Sequence, residues 1–181
     1  MNINGTVTVA GNITAAVTMG ASGVLNLNNG NTWGDNAAKV VGAIDGYDAQ
    51  QGTLNINGTF TTQGVIGGTY GLSAINLSNS TWANGFTTTF AHNVNATTIQ
   101  IGTATTQNNA TLQITAGGTS AGVNIAVTGN IIGGGNATSA DNAAGGIFLV
   151  SGNATVNGSI GTDANILAAI QIEDGTTLTI L

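Results

Sequence analysis

Apolar and polar residues alternate with a period of two along most of this chain. The alternation is plain in Thr6-Val7-Thr8-Val9, Val24-Leu25-Asn26-Leu27, Thr53-Leu54-Asn55-Ile56, Ala74-Ile75-Asn76-Leu77 and Thr98-Ile99-Gln100-Ile101. It resumes in Thr111-Leu112-Gln113-Ile114, Asn124-Ile125-Ala126-Val127, Thr155-Val156-Asn157 and Thr177-Leu178-Thr179-Ile180. A strand sends successive side chains to opposite faces, so each segment presents aliphatics on one side and mostly Thr, Asn or Gln on the other. Clusters such as Asn28-Asn29-Gly30-Asn31, Gly67-Gly68-Thr69 and Gly133-Gly134-Gly135-Asn136 punctuate them as turns. Asp163 to Ile170 is the best helical candidate, but it is short and flanked by strand pattern, so it reads as loop or strand. The pattern predicts an all-β protein.

A small unit, aliphatic-x-Gly-x-apolar, recurs as Val9-Ala10-Gly11-Asn12-Ile13, Ile56-Asn57-Gly58-Thr59-Phe60, Val127-Thr128-Gly129-Asn130-Ile131 and Val156-Asn157-Gly158-Ser159-Ile160. The first two are followed by matching ends that reach Trp33 and Trp82. Its glycines lie 47, 71 and 29 residues apart. Propellers and leucine-rich arrays hold their unit length; a β-solenoid keeps strand and corner while its loops vary. A β-sandwich accommodates short strands too, but the recurring corner favours the solenoid. At roughly 20–25 residues per coil the chain makes about eight irregular coils, a single solenoid over 1–181. The stretch 34–51 fits the repeat least and is expected to extrude as a loop.

Composition sharpens this. The chain has 181 residues, of which 4% are charged, against about 25% in an ordinary soluble protein. Proline is absent, as expected of stacked strands, where each proline would remove a ladder donor. Lys39 is the only basic residue beside His92, and the net charge is -6. Nucleic-acid binding needs clustered Lys and Arg, so that class is excluded, and anionic membrane surfaces are poor partners. The apolar run around residues 146–150 is strand-sized, so no membrane insertion of this segment is expected. Without cysteine there is no disulfide scaffold. Residues 1–20 carry no secretory leader pattern, and a mature fragment with an added Met is the expectation.

The Thr-Leu-x-Ile and Val-x-Gly-x-Ile strands, the Asn-Ala-Thr and Ile-Gly-Thr turns, and the stretch Gly145 to Val156 are similar to the passenger region of bacterial autotransporters. They resemble in particular the large outer-membrane surface antigens of Rickettsia and its relatives. That resemblance implies a right-handed parallel β-helix, displayed on the bacterial cell surface for adhesion or as a coat. The motifs are compositional, and no translocating barrel accompanies them within the chain.

Enzymatic chemistry finds little to use. The carboxylates are Asp35, Asp45, Asp48, Asp141, Asp163, Glu173 and Asp174, and glycosidases need two of them at one cleft. Only Asp35, Asp45 and Asp48 gather in sequence, in a stretch that also holds Trp33, Lys39 and Tyr47. Trp33, Asp35, Asp45, Tyr47 and Asp48 therefore form the candidate binding loop, weighed against a plain solvated loop whose charges prevent lateral aggregation. The calcium-loop alternation of ligands is not matched there. His92, the sole histidine, has no second His or Cys to complete a metal set and reads as a turn residue. Trp33 and Trp82 suit corner packing better than sugar stacking. Thr pairs such as Thr6/Thr8, Thr87/Thr89, Thr103/Thr105 and Thr177/Thr179 raise an ice-binding face, but their spacing breaks the flat array such a face needs. No catalytic residue, metal or cofactor is assigned.

Strand pattern runs from Ile3 to Leu181 with no polar cap at either end. Bare solenoid ends recruit further strands. The expectation is thus a non-catalytic, extracellular or surface-displayed segment of an adhesin or coat, its partners being adjoining coils, a host-cell surface or a glycan. A filament subunit that stacks on other copies of itself end to end is the alternative. A carbohydrate-active or ice-binding solenoid is the third.

Overall fold

The structure, a computed structural model, describes residues 1–28, 38–40, 42–78, 85–102, 110–115, 124–134 and 145–181. Among these residues there are strands, turns and bends and no helix. Every strand pair is parallel, and strands adjacent in space are separated in sequence by intervening strands of other faces. This is the stacked-sheet arrangement of a β-solenoid.

Three faces repeat in chain order. The first opens with Asn2–Ile3, Val17–Met19 and Ile44–Gly46. Single bridges carry its ladder through Ile66 to Val94, and it continues through Val127 and Val156 to Ile180. The second face holds Thr6–Val9, Val24–Asn28, Thr53–Asn57 and Leu72–Leu77. Two long strands, Val94–Ile101 and Ile125–Gly133, belong to both, turning the corner without a break. At that corner the register shifts between Asn95 and Thr98, and the bulge bends the strand. The third face comprises Ala38–Val40, Phe60–Thr62, Phe86–Phe90, Ala110–Ile114, Ile147–Val150 and Ala169–Ile172.

Stacking places like residues over like. Val7, Leu25, Leu54, Ile75, Ile99, Ile131 and Ile160 follow one another along the second face, and Leu25 through Ile131 are fully buried. On the third face Phe60, Thr88, Leu112 and Phe148 form one inward row, and Val40, Thr62, Phe90, Ile114 and Val150 another. Thr88 and Thr62 are thus hydroxyls inside the core. A buried hydroxyl is tolerated only when hydrogen-bonded. Thr88 Oγ1 donates to the Gly58 carbonyl at 3.2 Å and Thr62 Oγ1 to the Thr89 carbonyl at 3.4 Å.

The intervals along the first-face ladder are uneven, in keeping with the irregular recurrence of the sequence unit. Ile44 and Ile66 are 22 residues apart, whereas Val94 and Val127 are 33 apart. Third-to-first connections are often short, as at residues 91–93 and 151–153. Second-to-third connections vary most: only Gly58 and Thr59 separate Asn57 from Phe60, while Ile147 resumes well after Gly133. Within 34–51, Ala38–Val40 and Ile44–Gly46 are strands of the third and first faces, and Val40 and Ile44 are buried. Residues 34–37 and 41 lie outside the described residues.

The four glycines of the recurring unit share one backbone conformation. Gly11, Gly58, Gly129 and Gly158 have φ of 123°, 130°, 130° and 151°. The other positive-φ glycines among the described residues lie between 67° and 86°. L-residues avoid that region, so the corner selects glycine. At Gly129 a Cβ would also meet the Ala96 carbonyl of the preceding coil, whereas at Gly11 it would meet nothing within 4 Å.

Gly129→Ala is expected to cost about 1–3 kcal/mol from backbone conformation and more from the clash, and so to exceed Gly11→Ala. Leu54→Ala is expected to cost about 2–5 kcal/mol. Urea denaturation of the three variants checks both statements. Equal losses at the two glycines would show that the neighbouring coil plays no part in the requirement.

Candidate functional site

The outward side of the second face carries a row of amides. Thr8, Asn26, Asn55, Asn76 and Gln100 occupy successive rungs. Parallel strands stack about 4.8 Å apart, close enough for one side-chain amide to reach the next. Asn76 Nδ2 donates to Asn55 Oδ1 at 2.9 Å, Asn55 Nδ2 to Asn26 Oδ1 at 2.8 Å, and Asn26 Nδ2 to Thr8 Oγ1 at 3.3 Å. A second row runs beside it: Ser78 Oγ donates to Asn57 Oδ1 at 3.3 Å and Asn57 Nδ2 to Asn28 Oδ1 at 2.7 Å. All five bonds point the same way, toward the coil nearer the N-terminus. Chains of hydrogen bonds so aligned polarise one another.

Where these rows end, Asn55, Asn57, Asn76, Ser78 and Gln100 line a shallow depression of about 400 Å³. Every lining side chain is an amide or a hydroxyl. Gln100 leaves the ladder and donates instead to the Gly102 carbonyl at 3.1 Å.

A different device ties coils together at their corners. The Asp45 carboxylate accepts the backbone N–H groups of Thr69 at 3.0 Å and Tyr70 at 2.8 Å. Asn93 Oδ1 accepts from Ala126 N, Asn130 Oδ1 from Ser159 N, and Asn153 Oδ1 from Thr177 N, at 3.0, 3.1 and 3.0 Å. In each case a side-chain oxygen pairs an amide of the following coil. Asp45 therefore does the work of a corner asparagine.

Of the sequence-derived candidate loop, Trp33 and Asp35 lie outside the described residues, as does Trp82. Asp48 Oδ1 accepts the N–H of Ala49 at 2.8 Å, a local turn bond, so the Asp45 and Asp48 carboxylates serve separate backbones. Tyr47 is 74% exposed. His92 is exposed in the connection between the third and first faces. Among the described residues no three His, Asp or Glu side chains gather as a metal site. Outward threonines succeed one another for two rungs, Thr61 to Thr89 and Thr87 to Thr111, before giving way to Gln113 and Ile147.

The amide rows escaped the reading of single charged and aromatic residues. Their signal was the polar half of the alternation in Leu25-Asn26-Leu27-Asn28, Leu54-Asn55-Ile56-Asn57 and Ile75-Asn76-Leu77-Ser78. At the far end of the stack a second depression, about 530 Å³, lies between Ile160, Ile166, Leu167 and Ile170. Ile172, Ile180 and Leu181 are 52%, 55% and 75% exposed nearby.

No family model, curated protein or solved structure matches this chain.

Asp45→Ala is expected to lower stability by about 1–3 kcal/mol, because it removes two hydrogen bonds to a charged acceptor. Asp48→Ala, on an exposed turn, should stay within about 0.5 kcal/mol of the parent. Denaturant titration of both distinguishes a coil-to-coil tie from a solvated loop; indistinguishable midpoints would refute the tie.

Proposed function

We propose that this chain is a non-catalytic extracellular structural protein, a surface-displayed segment of an adhesin or coat of the autotransporter-passenger type. In this reading it forms a right-handed parallel β-helix of about eight irregular coils, without cofactor or metal. The observation that carries the reading is the pairing of buried aliphatic ladders with outward ladders of neutral amides and hydroxyls. Such a surface solvates a rod without stacking like charges 4.8 Å apart, where they would repel. It is the build of an extended spacer rather than of a reaction cleft. Immunogold labelling of intact source cells, with antibody raised against the purified chain, is expected to decorate the outer surface. Label confined to the cell interior would overturn the reading.

A second reading, a filament subunit stacking end to end on copies of itself, is favoured by the exposed Ile170, Ile172, Ile180 and Leu181. Ile170, Ile172 and Ile180 continue the inward ladders of the third and first faces, so another coil would cover them in register. Here electron microscopy of the purified protein is expected to show fibres that shorten with Ile170→Asn plus Ile172→Asn. Discrete particles at high protein concentration would remove the filament.

A further inference from the structure

We propose that the depression on the second face is a binding site for a neutral, extended glycan. The lining is Asn55, Asn57, Asn76, Ser78 and Gln100. It contains neither a charge to hold an ion nor an aliphatic surface to hold an apolar ligand. A carboxamide offers two N–H donors and two acceptor lone pairs. Asn55 spends one donor on Asn26 and one lone pair on Asn76, and Asn57 spends the same on Asn28 and Ser78. About half of each amide's capacity is left for the groove. The matching ligand is one whose groups both donate and accept at every position, which is the chemistry of sugar hydroxyls.

Two further features fit an elongated ligand. The ladder bonds already fix the amide rotamers, so little side-chain entropy remains to be lost on binding. The amides also repeat along the stack at a regular spacing, which suits a polymer of like units. The groove lies over the C-terminal halves of the second-face strands Thr53–Asn57, Leu72–Leu77 and Val94–Ile101, beside the corner whose connections vary most between coils. Binding residues concentrate on variable connections held by a rigid scaffold. This site is separate from the Asp45 region, and it does not depend on where the rod is displayed.

Isothermal titration with three soluble neutral probes, a β-glucan, an α-mannan and a chitin oligomer, tests the site. Saturable binding of at least one probe is expected, with an affinity unchanged between low and high salt because neither the probe nor the lining of the groove is charged. Asn76→Ala combined with Gln100→Ala should weaken it about tenfold, the loss of roughly two hydrogen bonds. Should that variant melt early, Gln100→Ala alone decides, since its only described bond is to its own turn and the ladder stays intact. Absence of binding to all three probes overturns the proposal. So does binding that neither variant weakens, or binding that is abolished by salt.

Discussion

The structure depends on one constraint: each coil must satisfy its backbone N–H and C=O groups with the coils above and below. An unpaired buried backbone group costs as much as a lost hydrogen bond, so register is fixed along the whole stack. Everything else follows from that registry. Aliphatics align with aliphatics inside, and amides align with amides outside. A charge placed on an outward rung would meet another charge if the rung repeated it, and the near-absence of Lys, Arg and Glu is the compositional result. Proline is absent for the same reason, since it would remove one donor from a ladder that has none to spare.

The corners obey a second rule derived from the first. A coil that changes direction leaves amides pointing away from the sheet, and the next coil's corner must meet them. Asp45, Asn93, Asn130 and Asn153 each supply an oxygen for this. Asp45 is instructive because its charge makes it stand out in a nearly neutral chain. The charge is held by two backbone N–H groups of the following coil, and its neighbours Val40 and Ile44 belong to the core.

Much of the fold was legible in the sequence. All nine alternating segments fall on strands, and the four recurring glycines share a φ that only glycine adopts readily. Both are local properties, set by side-chain alternation and by backbone sterics. Other strands were not legible, and the reasons differ. Val17–Met19 and Ile44–Gly46 are too short for alternation to register. Phe86–Phe90 turns Thr88 inward, where its hydroxyl is satisfied by the Gly58 carbonyl, a partner 30 residues away. The candidate site was read from rare residue types, Asp and Trp. The amide rows were passed over because asparagine is common here, and only the stacked register shows which asparagines meet. Trp33 and Asp35 fall outside the described residues, so that part of the sequence reading stands as an expectation.

The uneven second-to-third corner has an evolutionary consequence. Because registry is held by the three faces, length added at that corner changes no rung on either side. Insertions and deletions there would accumulate along a single ridge of the rod, all facing one direction. Such a molecule can rewrite the surface it shows to its surroundings while leaving its spine untouched, one coil at a time.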